Sequence, residues 1–340
     1  MSEGQRHARR AAWLTLALLL ATAWLMLLGA SVGSTGFESL SALRADPMGW
    51  QIVWDIRLPR TLGTWLAGAL LGLAGAVAQG LFRNPLADPY LLGSGSGALL
   101  GVAVSMAAIG GSPFAMSWVA RMGMAGAAFV GAVAGVLLTL ALAQGVQHTL
   151  RLLLAGVIVG VVLGAISSLL MLLAPEIMQA LQAFMLGSTG YVGWTACALM
   201  AAPLVLCAVV AWALSQALDA LTLGEATARS LGLPLTAMRM ALVGVLGLAT
   251  GAAVAQTGLV AFVGLAAPHL ARSLVKVTHA RLTLLAAGVG GVLLLAADIL
   301  ARWLIAPQEL PVGVLTAVLG GGYLLWLMQR RTRAGQRGLL

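Results

Sequence analysis

Apolar residues come in long runs separated by short polar interruptions, and the runs have the length of a bilayer core. A spanning helix needs roughly 20 consecutive apolar residues. Runs of that order occupy 11–30, 61–82, 91–109, 118–142, 152–173, 193–215, 238–256, 258–275, 282–301 and 311–328. The pattern predicts an all-α polytopic membrane protein, a single transmembrane domain over 1–340 with about ten helices. The thinnest division lies between the seventh and eighth runs, where Gln256-Thr257-Gly258 is the only break.

Composition agrees. Hydrophobic residues make up 61% and charged residues 9%, with a mean hydropathy of +1.00, whereas soluble domains carry about 25% charged residues. The net charge of +9 comes from cations scattered singly between apolar runs, so it points to the lipid bilayer and not to nucleic acid. Cys197 and Cys207 share one apolar run, which gives neither a disulfide nor a metal framework. No cofactor is expected.

The positive residues orient the chain. With the N-terminus inside, fourteen of the nineteen Lys and Arg residues fall in inner segments, and only Arg44, Arg57, Arg60, Arg121 and Arg302 fall outside. Both termini are therefore expected in the cytoplasm. Arg9-Arg10 before an apolar core and Ala21-Thr22-Ala23 also fit a signal peptide. Cleavage there would leave an odd number of spans and break the charge bias, so the run is read as the first span.

The polar residues limit the chemistry. The only lysine, Lys276, is flanked by valines, so no phosphate-binding Gly-Lys-Ser/Thr loop exists. ATP-driven transport would need hydrolysis on a separate subunit and a docking surface here. The longest inner loop, 221–234, offers one: Gly224 starts a short helix, Glu225 suits its first turn, Gly232 its C-terminal cap, and Pro234 stops it. Glu225 and Arg229 then lie outside the membrane.

Asp298 and Arg302, one turn apart, neutralise each other, which argues against an ion-coupled carboxylate. His269 follows Pro268 inside the eighth run and is read as a partner for freed backbone carbonyls; a haem-iron role lacks a second ligand nearby. Gly68 and Gly72 suit close helix packing. Gly156, Gly160 and Gly164 form a ridge that could pack tightly or line a smooth pathway.

Arg57-Leu58-Pro59-Arg60 opens a run closing on Gln79. Arg83-Asn84-Pro85-Leu86-Ala87-Asp88-Pro89 follows, and Gly93-Ser94-Gly95-Ser96-Gly97-Ala98 opens the next run. With the stretch Gly258 to Arg272, this order resembles the FecCD-type permease subunit of ABC importers for iron chelates and cobalamin. Asp88 stands where many relatives have Glu.

The resemblance implies a type II importer fold and a homodimer in the bacterial inner membrane. It implies two ATP-binding cassette subunits and a periplasmic substrate-binding protein as partners, and no enzymatic activity in this chain. It places coupling helices at 219–236, with Gly224, Glu225, Ala226, Arg229, Leu231 and Gly232 toward the ATPase. It places Arg57, Arg60 and Arg302 against glutamates of the binding protein, and Gly156, Gly160 and Gly164 beside the pathway. Haem stands slightly ahead of a ferric siderophore as the expected substrate, on the likeness of Gln182 to Ser188 to iron-chelate members. Cobalamin is the runner-up, and an ion-coupled secondary transporter is the alternative from another class.

Overall fold

The computed structural model describes residues 3–33, 36–39, 43–44, 46–109, 118–146, 148–230 and 232–337. Its helices are α1 (Glu3–Ser31), α2 (Pro47–Ile52), α3 (Leu58–Leu81), α4 (Ser94–Ile109), α5 (Trp118–Ala143), α6 (Thr149–Leu173) and α7 (Met178–Leu186). They continue with α8 (Trp194–Ala213), α9 (Ser215–Thr222), α10 (Glu225–Ser230), α11 (Leu235–Thr257), α12 (Val263–Leu274), α13 (His279–Trp303) and α14 (Val312–Arg337). A two-stranded hairpin, β1 (Val32–Gly33) with β2 (Gly36–Phe37), follows α1.

Helix α3 is the axis of the bundle. It is buried along nearly its whole length and packs against α13, α11, α12, α8 and α1. Its glycines allow this. A Cβ at Gly68 or Gly72 would overlap the carbonyls of Gly290 or Ala286 on antiparallel α13, and one at Gly75 would overlap the Gly264 carbonyl on α12. The packing reading of Gly68 and Gly72 therefore holds: without side chains, backbones approach closely in lipid. A second group, α4, α5 and α6, is closed the same way, with Gly97 and Gly101 of α4 against Gly131 and Ala127 of α5. Contacts between α5 and α11 join the two groups.

The second span begins earlier than the apolar run suggests. A π-helical turn at Val53–Arg57 joins α2 to α3 in one continuous rod, so the Leu58-Pro59-Arg60 step is helical. Pro59 has no N–H to give its preceding turn. The wider ring of the π-turn takes up that interruption just before it.

The eighth run does not form a spanning helix. Gly258 adopts φ +68°, the Leu259 N–H bonds the Phe184 carbonyl, and Phe262 again has positive φ. Helix begins only at Val263, leaving twelve residues, about 18 Å at 1.5 Å per residue. That is short of a hydrocarbon core of about 30 Å. The segment is docked instead on short helix α7, whose Phe184 carbonyl accepts the Leu259 amide at 2.9 Å. Among the described residues, seven helical segments are long and apolar enough to cross a membrane, and α4 and the apolar part of α14 are shorter apolar helices. Together with α12 they account for the ten expected runs. Large apolar side chains stand exposed along α1, α6, α8 and α14, including Trp24, Leu172, Val205 and Leu325. Faces of that size mark contact with lipid or another transmembrane surface.

Candidate functional site at the two ends of the bundle

At one end, three arginines expected at the outer face gather around carboxylates. Arg302 is buried; it pairs with Asp298 on α13 and donates to the carbonyls of Gly29 at 3.1 Å and Val32 at 3.5 Å. Arg57 is also buried, donates to the carbonyls of Ala30 and Ser31, and pairs with Glu38. Arg60 bonds Asp298 at 2.9 Å and Glu309 at 2.9–3.0 Å. Thr189 donates to Asp298 as well.

Two of these arginines thus satisfy the orphan carbonyls that end α1. A helix leaves its last four carbonyls without partners, and cations are favourable there. The expectation that all three meet a partner at the outer face changes accordingly. Arg302 is 1% exposed and turned inward, because Asp298 and the end of α1 together take its donors. Arg57 and Arg60 keep only 9% and 11% of their side chains accessible, behind the half-exposed carboxylates Glu38 and Glu309. Sequence reasoning found the Asp298–Arg302 pair from its spacing. It grouped Arg60 with Arg302 at the outer face but missed Thr189, Glu38 and Glu309 as partners, since no helical spacing links them to the arginines.

At the opposite end lies the predicted short helix. Gly224 (φ +103°) and Gly232 (φ +73°) bracket α10 in left-handed conformations open to glycine, as the loop chemistry requires. Ala226, Thr227, Arg229 and Ser230 are exposed, and Ala228 is the buried residue beneath them. Leu231 lies outside the described residues.

Glu225 differs from the expectation of a residue facing outward. Its Oε1 accepts from Arg239 of α11 at 2.7 Å and from Thr149, the first residue of α6, at 3.3 Å; Arg83, after α3, approaches to 3.6 Å. The hydrogen bond from Arg239, with the positive charges of Arg239 and Arg83, holds the Glu225 carboxyl below the usual glutamate range against an opposing effect of partial burial. A buried cation at the head of an apolar run, Arg239, was the available sequence signal for this contact.

The α6 ridge divides. A Cβ on Gly156 would overlap the Leu91 carbonyl, so that glycine is a packing position. Gly160 has only the Ser96 hydroxyl near it, at 3.7 Å, and Gly164 faces open space. His269 of α12 packs edge-on against the Tyr323 ring of α14, centroids 6.0 Å apart, and Tyr323 stacks on Trp326.

The geometry is that of a multi-pass α-helical membrane bundle, closed by backbone-to-backbone glycine contacts, with a surface knob at one end and a charge network at the other. The chain belongs to the FecCD transport family, whose model matches residues 14–330. It is 39% identical to the vitamin B12 import system permease protein BtuC of Salmonella typhimurium and of Salmonella typhi, over 97% of this chain and 98% of those proteins. Among solved structures it is similar to a chain described as a metal-chelate type ABC transporter in an inward-facing conformation. The TM-score is 0.81 at 28% identity, covering 94% of this chain and 99% of that one. A chain of PsaBC from Streptococcus pneumoniae shares the fold at 19% identity, with a TM-score of 0.53.

Proposed function

We propose that this chain is the permease subunit of an ATP-driven importer that brings a corrinoid of the vitamin B12 type across the bacterial inner membrane. The observation carrying the substrate is the 39% identity to vitamin B12 permeases over nearly the full length of both proteins. That likeness supports cobalamin over haem, the first expectation from sequence. The likeness to a metal-chelate type transporter at 28% identity keeps an iron chelate as the second reading. The ion-coupled alternative is disfavoured because Asp298, the buried carboxylate, is held by Arg60 and Arg302.

In this reading the whole chain is one transmembrane domain working as a homodimer, with two ATPase subunits and a periplasmic binding protein, both termini in the cytoplasm. The 219–236 segment meets the ATPase through the exposed face of α10, where Ala226 and Arg229 are accessible. Gly160 and Gly164 lie on the open face of α6 and border the pathway. Arg57 and Arg60 receive acidic residues of the binding protein in exchange for Glu38 and Glu309, and Arg302 supports them from below. The test is growth of a bacterium lacking its own vitamin B12 permease on limiting cobalamin, with this chain and its cognate partners supplied. Restored growth is the expected result; restored growth on haem as iron source but not on cobalamin would shift the assignment to the second reading.

A further inference from the structure

We infer that Glu225 is a positioning residue for transport, the strut through which displacement of α10 reaches α6. The inference rests on the reading that α10 meets the ATPase. Helix α10 has six residues and buries only Ala228 of them, so apolar packing attaches it weakly to the bundle. A helix this short has no independent stability. Among the described residues, the Glu225 carboxylate adds a polar tie to the rest of the bundle beside the Ala228 contact.

One oxygen of that carboxylate, Oε1, serves three elements: Arg239 of α11 at 2.7 Å, Thr149 at the start of α6 at 3.3 Å, and Arg83 beyond the end of α3 at 3.6 Å. Arg239 also donates to the Val146 carbonyl at 3.3 Å, in the turn that leads into α6. That turn runs through Gln144 and Gly145, both with positive φ. No side chain of His148, the residue preceding α6, caps the helix, and the Glu225 carboxylate stands by its first residue instead. Negative charge is favourable at that position.

The link is therefore charge-assisted, and it joins α10 to α11, to the start of α6 and to the end of α3 at a single carboxylate. Charge-assisted hydrogen bonds are about twice as strong as neutral ones. Helix α6 in turn packs through Gly156 on the Leu91 backbone and carries the open positions Gly160 and Gly164. A push on α10 thus reaches the α6 face proposed to border the pathway. Arg229, on the exposed side of the same helix, has the complementary duty of meeting the partner.

The experiment uses the full assembly of permease, ATPase subunits and binding protein in proteoliposomes, with radiolabelled cobalamin. Glu225→Gln keeps the shape of the side chain and removes its charge. Transported substrate per ATP hydrolysed should fall at least about fivefold, the lower end of couplings between distant sites, while the ATPase still copurifies and basal hydrolysis continues. Arg239→Gln should do the same, and Glu225→Arg with Arg239→Glu should recover part of the loss. Thr149→Val, which removes one hydrogen bond and no charge, should give a smaller loss and keeps the test open if the charge variants fold poorly. Wild-type transport per ATP in Glu225→Gln, or loss of the ATPase from that variant, would overturn the strut. Arg229→Glu separates the two ideas: if it leaves assembly and hydrolysis intact, the docking reading of α10 falls and the strut with it. If Arg229→Glu fails to assemble while Glu225→Gln transports normally, the strut alone falls.

Discussion

Asp298 and Arg302 lie one turn apart on α13 and form an ion pair shut away from solvent, with Asp298 also accepting from Arg60 of α3. One carboxylate thus pairs with two guanidinium groups and ties the ends of two antiparallel helices, with Glu309 as the second anion on Arg60. Through Arg302 it also reaches the last carbonyls of α1.

Removing the shared acceptor should cost more than removing one donor. Among the described residues, Asp298→Ala leaves Arg302 with backbone carbonyls alone and Arg60 with Glu309 alone, and breaking a buried pair from one side costs about 3–5 kcal/mol. Arg302→Ala leaves Asp298 with Arg60 and Thr189 and should be milder. Thermal unfolding in detergent should rank Asp298→Ala below Arg302→Ala. The reverse order would contradict the shared-acceptor arrangement.

The glycines divide into two classes with opposite expectations. Gly75→Ala drives a methyl group into the Gly264 carbonyl, and overpacking costs about 1–3 kcal/mol or more. Gly164→Ala meets nothing and should change stability by less than about 0.5 kcal/mol. Gly164→Leu should slow uptake without lowering the unfolding temperature. Equal destabilisation by Gly75→Ala and Gly164→Ala would show that the close α3–α12 contact does not form.

The helices were legible because hydrophobicity is a property of each run by itself. The loop helix α10 was legible for a similar reason, since Gly224 and Gly232 carry their turn chemistry locally. The eighth run misled because Gly258 to Phe262 is as apolar as a helix. Its irregular backbone is held by the Leu259 N–H on the Phe184 carbonyl and the Tyr90 hydroxyl on the Val260 carbonyl, partners that no local pattern encodes. The arginines were placed at the correct helix ends, but not their side chains. Where Arg57 and Arg60 point depends on Glu38 and Glu309, in loops without periodicity and 19 and 249 residues away. The inward contacts of Glu225 are not legible locally, because Arg239 and Thr149 approach it only in the folded bundle.

If Arg60 receives an acidic partner, Glu309 is its competitor within the chain. Arg60→Glu should abolish binding of the binding protein, whereas Glu309→Gln should strengthen it by freeing the guanidinium. Rim charges act mainly on association rate and salt dependence. Binding kinetics at low and physiological salt check both, and weaker binding by Glu309→Gln would remove the competitor relationship.

The Glu225 contacts also fix a pH dependence. Its carboxyl titrates lower in the folded chain than in an unfolded one, chiefly through the Arg239 hydrogen bond. The contribution is then fully present above the unfolded value and lost only as pH falls through the lowered one. Transport per ATP should be flat between about pH 6 and 8 as far as this link is concerned. A decline across that range that Glu225→Gln abolishes would show that the carboxylate is not held ionised there.

In the proposed reading the chain imports a corrinoid, driven by ATP on a partner subunit. This import is tested most directly by reconstituting the permease with its ATPase and binding protein in proteoliposomes, with equal concentrations of cobalamin, haem and a ferric siderophore outside. The account predicts cobalamin accumulation that requires internal ATP and the ATPase subunit, with little uptake of the other two. Haem or siderophore uptake without cobalamin uptake, or cobalamin uptake that proceeds without the ATPase, would contradict it.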